Sequence, residues 1–185
     1  MCWTRLKVFA PEMADIIGPR FVSIDLDCVI VGSLDPLLDI PDDFKAWKNV
    51  GHGAIYCGSM FLMNAGSRRQ VWDTLDSEEL VFKKEFKRFK NRGQRYIHPD
   101  AYAAGMVIGS DQAWISYVLG PGEPMWTSED GVLSHTDATL CPNGIGRAQT
   151  DAPPDHARIV FFHGVGDPSQ ARVQKRFPWI TEHWR

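Results

Sequence analysis

The sequence predicts an α/β protein in which helices flank a mixed, mostly parallel central sheet. Three observations carry that prediction. Apolar runs at 21–31, 54–64 and 158–164 leave neither face of a strand polar, as in strands covered on both sides. Between them, apolar residues recur at helical spacing at 82–89 and 111–119. The 185 residues are 44% hydrophobic and 11% aromatic, enough for one domain that buries about 70% of its unfolded surface.

Taken in order, residues 3–9 (WTRLKVF) place Trp3, Leu6 and either Lys7 or Phe9 on one face of a short helix. Pro11 and the Gly18-Pro19 pair then break the chain. A buried strand follows at 21–25, and residues 28–31 resume its apolar character until Gly32-Ser33 ends it. LDPLLDIP (34–41) reads as one helical turn and a loop. AIYCGSMFLMN (54–64) reads as a second buried strand or strand pair, with Gly58-Ser59 where backbone can approach a ligand closely. Ser67 is placed to cap a helix over SRRQVWDTLD.

SEELVFKKEFKRFKNRG (77–93) is amphipathic, with Phe82, Phe86 and Phe89 on one face. Glu78, Glu79 and Glu85 interrupt its basic residues, so it reads as a solvated face. SDQAWISYVL (110–119) is a further helix. Residues 127–155 are rich in Gly, Pro, Asp and Thr, with one short strand near 131–135, and RIVFFHG (158–164) is a third strand ending in His163 and Gly164. No internal repeat is present.

A net charge of -3 and a pI near 6.0 argue against general affinity for nucleic acid or anionic membranes. No run approaches the ~20 apolar residues of a membrane span, and MCWTRLKVFAPE has no signal-peptide core. Cys2, Cys28, Cys57 and Cys141 form no CxxC pair; they read as reduced, mostly buried thiols of a cytoplasmic protein.

The chemistry concentrates in FVSIDLDCVIV (21–31), which sets Asp25 and Asp27 inside an apolar stretch. An ionised carboxylate removed from water costs several kcal/mol unless something compensates it. His163 ends another apolar strand. Ligands of open α/β sheets bind beyond the carboxyl ends of strands, so two strands running the same way would bring these three side chains to one rim. Two carboxylates and an imidazole suit Mg²⁺ or Mn²⁺ holding a phosphate. Two plainer readings stay open: an Asp pair satisfied by backbone N–H groups in a turn, and a structural, hydrogen-bonded His163. His52 and His98 read as loop histidines. Ser59 lacks the second glycine of a nucleophile elbow. Trp114 and Trp126 read as core, with some surface for sugar stacking.

SIDLDCVIVGSLDPLL (23–38) closely resembles the D-x-D segment of GT-A-fold glycosyltransferases, of the glycogenin and lipopolysaccharide-galactosyltransferase type and its bacterial and phage relatives. MCWTRLKVF resembles the "WWSKL.LF" segment that precedes it there. IYCGSMFLMNAG (55–66) is similar to the family's "YNSSVMLFN.G" strand. Ser110-Asp111-Gln112 resembles its "DQ" helix start, and VFFHGVGDP (160–168) its terminal "HFHG..KP". The resemblance covers nearly the whole chain and implies a shortened GT-A-like fold: one domain over 1–185, without the N-terminal segment that holds the nucleotide base in the family. It implies a metal-dependent transfer of a hexose from a nucleoside-diphosphate sugar to a glycan or small-molecule acceptor, with a second chain able to complete the donor pocket. Asp25, Asp27 and His163 would hold Mn²⁺ or Mg²⁺, with Asp25 also near the donor ribose. Gly58 and Ser59 would line the sugar pocket, Gly164 would admit the diphosphate, and Asp111 and Gln112 would face the reacting centre. Asp111 is the candidate general base should the reaction invert.

Two alternatives use the same residues. One is a catalytically inactive GT-A-like binding or remnant domain, in keeping with Asp167 standing where the family has lysine. The other is a haloacid-dehalogenase-like phosphatase with Asp25 as nucleophile and Asp27 as general acid.

Overall fold

The structure is a computed structural model and describes residues 2–50, 54–75, 111–141, 151–164 and 166–183, with side chains from Arg5 onward. The amphipathic stretch 77–93, His52 and His98 lie outside the described residues. By its own contacts the chain divides into two compact units, one of residues 1–23 and 42–125, the other of 24–41 and 126–185.

The first unit opens with a 3₁₀ helix, Cys2–Phe9, and helix α1, Met13–Ile17. Its sheet has the order β1-β4-β3-β5, from β1 (Arg20–Ile24), β3 (Phe44–Lys48), β4 (Tyr56–Asn64) and β5 (Met125–Trp126). Residues 70–75 are helical, and helix α3 spans Asp111–Leu119. Leu6, Phe9, Phe44, Phe61, Trp114 and Ile115 form its core, with Phe61 stacked on both Phe9 (5.4 Å) and Phe44 (6.3 Å). Strand β3 puts Phe44 and Ala46 inward with Lys45 between them, as a period of two requires. The alternation breaks where Trp47 is also buried, at a bulge in the antiparallel β3–β4 ladder.

The second unit carries β2 (Cys28–Ile30), helix α2 (Asp35–Leu38), β6 (Val132–Ser134), β7 (Ile159–Phe161), α4 (Ala171–Arg176) and α5 (Ile180–His183). Its sheet has the order β2-β7-β6. Val29, Leu133, Val160, Phe162, Phe177, Trp179 and Ile180 make a second core. There the Phe162, Phe177 and Trp179 rings meet edge-on or tilted at 5.6–6.2 Å, the arrangements that aromatic quadrupoles favour.

The mixed α/β architecture matches expectation, and among the described residues seven strands form two sheets. The cause sits in the D-x-D stretch. β1 stops at Ile24 and β2 starts at Cys28, so the Asp25-Leu26-Asp27 bend is where the chain leaves one sheet and enters the other. Leu26 is 95% exposed, and one apolar run thereby becomes two strands. Of the registers described, β6–β7 is parallel, whereas β2–β7 and β3–β4 are antiparallel. Ser67 caps no helix; its hydroxyl donates to the Asp43 carbonyl across the turn. Trp114 and Trp126 are buried, which removes them as sugar-stacking surfaces. Cys28, Cys57 and Cys141 are free thiols, the last two buried.

Candidate functional site

In the second unit, Cys28 pairs with Phe161 and Ile30 with Ile159, so the start of β2 lies beside the end of β7. The parallel β6–β7 pairing sets Ser134 opposite Phe161. One rim therefore carries the D-x-D bend, the end of β7 and the end of β6. The Phe162 N–H continues the ladder by donating to the Asp27 carbonyl at 2.7 Å, which places His163 next to the bend. Asp25, Asp27, His163 and Gly164 thus share this rim. The reason differs from the expected one: the acids come before a strand that runs antiparallel to β7.

Burial and the neighbouring Asp25 charge push the Asp27 carboxyl above the ordinary carboxylate range. Asp167 adds to that push, while the Asp27 backbone amide and His163 oppose it. Asp167 is itself held low by the Ser169 side chain and N–H, at 2.6 and 2.8 Å, which makes it the first residue of an Asx turn. His163 is exposed as a residue, yet its ring is engaged on its inner side. Nε2 lies 2.7 Å from the Ser134 Oγ, and the ring centre is 4.6 Å from that of His135. Desolvation there lowers its pKa, against the pull of Asp27. Gly164, at φ 74, turns the chain immediately afterwards in the left-handed region that favours glycine.

Sequence reading missed Ser134 and His135. The His135 imidazole stacks on Phe162 (5.3 Å), and its Nδ1 faces the His163 N–H at 3.4 Å. Burial and the neighbouring His163 lower its pKa to about 4, so it is neutral throughout the physiological range. The available signal was the repeated strand ending: Leu-Ser-His at 133–135 parallels Phe-Phe-His at 161–163.

Among the described residues, no three His, Cys, Asp or Glu side chains are gathered closely enough to hold a metal ion. Asp25, Asp27 and His163 share the rim, and one nitrogen of the histidine faces Ser134. In chemical type the rim still suits a hard dication. Burial and the neighbouring Asp25 charge raise Asp27, and the His163 imidazole lies alongside.

The first unit holds the other predicted residues. The β3–β4 ladder pairs Ala46 with Phe61 but Trp47 with Cys57, leaving Gly58, Ser59 and Met60 of β4 outside it. Helix α3 is anchored beside this bulge by Ser116, whose Oγ accepts from the Ile55 and Tyr56 amides (3.0 Å each) and donates to the Gln112 carbonyl (2.7 Å). That anchor brings the first turn of α3 to Gly58: the Gln112 Oε1 accepts from the Gly58 N–H at 3.5 Å. Asp111, only 5% exposed, pairs with Arg5 (3.3 Å), and Arg5 also donates to the Gly58 carbonyl at 2.5 Å. A Cβ on Gly58 would lie 3.0 Å from the Arg5 guanidinium and 3.4 Å from Asp111, so a larger residue would press on the Arg5–Asp111 pair. Ser59 is half-buried in the same bulge. Arg5 was not foreseen, since its partners lie 53 and 106 positions away.

The chain shares the fold of GT-A-type glycosyltransferases. It superposes on the galactosyltransferase LgtC, solved with donor and acceptor sugar analogues, with TM-score 0.56 and 13% identity, over 99% of this chain and 67% of that one. It superposes on the glycosyltransferase GlyE of Streptococcus pneumoniae TIGR4 with TM-score 0.55 and 12% identity, and on its apo form with 0.54 and 13%. The chain spans about 40% of the GlyE length. No protein-family model and no curated protein matches the sequence. No described helix is long and apolar enough to cross a membrane.

Proposed function

We propose that the protein is a metal-dependent glycosyltransferase that moves a hexose from a nucleoside-diphosphate sugar to a glycan or small-molecule acceptor. The observation that supports this reading is that the segments carrying Asp25, Asp27 and His163 lie along one sheet rim, in a fold shared with glycosyltransferases. The same likeness supports the transferase over the phosphatase reading of the two acids.

Asp25, Asp27 and His163 would hold Mn²⁺ or Mg²⁺. Bound there, the ion supplies positive charge to a leaving diphosphate. The turn at Gly164 offers backbone without a side chain in the way. Gly58 and Ser59, at the bulge outside the β3–β4 ladder, would line the sugar pocket. The Gln112 carboxamide is already oriented by the Gly58 N–H. Asp111, paired with Arg5 beside Gly58, suits a positioning role.

Calorimetric titration of Mn²⁺, alone and with UDP or GDP, tests the reading in wild type and Asp27→Ala. Wild type should bind, and more tightly with a nucleoside diphosphate. The variant should bind at least tenfold more weakly. No binding by wild type under either condition refutes the proposal, and binding without transfer from any nucleotide sugar identifies the inactive-domain alternative.

A further inference from the structure

Arg176 ends helix α4 in the second unit. Its Nε and Nη2 are both buried, and among the described residues neither has a hydrogen-bond partner. The Trp179 indole N–H, three positions on, is likewise buried without an acceptor. What the guanidinium does have is a ring, its Cζ lying 5.4 Å from the centre of Phe177. A cation–π contact is worth less than the hydration that a buried ion gives up, so the ring offsets only part of the cost. Asp167, the acid that precedes α4, is engaged by Ser169. As a residue Arg176 is only half-buried, which gives its side chain a route to solvent that a core residue lacks.

Nε and Nη2 form one edge of a guanidinium, the edge that meets the two oxygens of a carboxylate or phosphate in parallel hydrogen bonds. Arg68 shows this pairing in the first unit, where its Nε and Nη2 donate to the two Glu123 carboxylate oxygens at 2.6 and 2.8 Å. Arg176 has the same edge and no such acid. We propose that Arg176 is an oxyanion-binding residue that takes a phosphate group through Nε and Nη2. Carboxylate shares this chemistry, but phosphate brings more charge to a cation that burial has left poorly compensated. The Phe177 ring that carries the guanidinium also meets His135 edge-on at 6.4 Å, so the arginine stands one ring away from the residue that follows β6. This site goes beyond the transferase reading, because an arginine needs no dication to attract a phosphate.

Thermal unfolding in an oxyanion-free buffer, and then with rising inorganic phosphate, tests the proposal without metal or sugar donor. A ligand that binds the folded state stabilises it as its concentration passes Kd. Wild-type Tm should therefore climb with phosphate, and should not with sodium chloride at matched ionic strength. Arg176→Met should lose that response, and calorimetry should show its phosphate affinity down roughly 10–100-fold, the worth of charge-assisted hydrogen bonds. Arg176→Lys, the gentler change, keeps the charge without the fork and should bind several-fold more weakly than wild type. UDP titrated without metal separates the sources of the phosphate. Weakened alike in Arg176→Met, it identifies the group as a nucleoside diphosphate; unweakened, it identifies free phosphate. No phosphate response in wild type, or the wild-type response in both variants, overturns the proposal. Failure of Mn²⁺ binding touches only the transferase reading.

Discussion

Asp27 is a carboxylate whose surroundings work against its own charge. Burial and Asp25 raise its pKa above 3.8, and Asp167 adds to the effect. A raised folded-state pKa contributes stability that is fully present below the unfolded value and is lost as pH rises through the folded value. At neutral pH the ionised side chain is therefore a net cost to the metal-free protein. Asp27→Asn keeps the shape and drops the charge. It should raise Tm at pH 7 by about 1–3 °C, a modest gain because the side chain is partly exposed and water screens it. That gain should vanish below pH ~4, where wild type is protonated as well. A lower Tm at pH 7 would mean that Asp27 is held by contacts that need its charge. The same substitution should weaken Mn²⁺ binding, which is the usual opposition between stability and a functional site. Legibility at this scale followed chemistry. Asp25 and Asp27 stood out because charge inside an apolar run is costly, and His163 because it ends one. Arg5 and Ser134 did not, since an arginine in a helix and a serine in a strand are unremarkable until the fold supplies their partners.

Among elements, those with strong local patterns were readable: β1, β2, β4 and β7 from apolar runs, α3 from its periodicity, and the single turn of α2. Strand β3 was overlooked although FKAWK alternates over its first three positions; the bulge after Ala46 spoils the period within five residues. β5, with two residues, and α4 and α5, with six and four, are too short to show a period and are held by the cores they pack on. Gly131 illustrates an element set by tertiary contact. It closes the short 3₁₀ helix Ser128–Asp130 at φ 85, and its carbonyl accepts from the Arg158 and Ile159 amides where β6 meets β7. A Cβ there would lie 2.3 Å from the His156 carbonyl oxygen, which is backbone and cannot swing aside. Gly131→Ala should thus cost about 2–4 kcal/mol, lowering Tm by roughly 5–15 °C. Gly120, at φ 63 with open space around its Cβ position, is the control. Gly120→Ala should cost only the backbone strain of about 1 kcal/mol. Equal losses in thermal melts of the two variants would show that conformation, and not collision, sets the cost at Gly131.

At the scale of the whole molecule, the two compact units have separate aromatic cores, one built on Phe9, Phe44 and Phe61, the other on Phe162, Phe177 and Trp179. Each unit is assembled from two stretches of chain, whereas the single-domain expectation rested on chain length, which carries no information on how contacts divide. Two cores of this kind are expected to melt with a calorimetric enthalpy larger than the van't Hoff value, the mark of more than one cooperative step. The proposed metal ligands all belong to the second unit. A ligand stabilises what it binds by RT ln(1 + [L]/Kd), about 2.7 kcal/mol at a hundredfold excess over Kd. Scanning calorimetry with Mn²⁺ and a nucleoside diphosphate should therefore move the component assigned to the second unit upward by several degrees, leaving the other where it was. Two variants make the assignment independently: Phe162→Ala should lower one component and Phe61→Ala the other, each by about 3–5 kcal/mol of core packing. A single two-state transition that both variants lower equally, and that Mn²⁺ shifts as a whole, refutes the partition and leaves one cooperative domain.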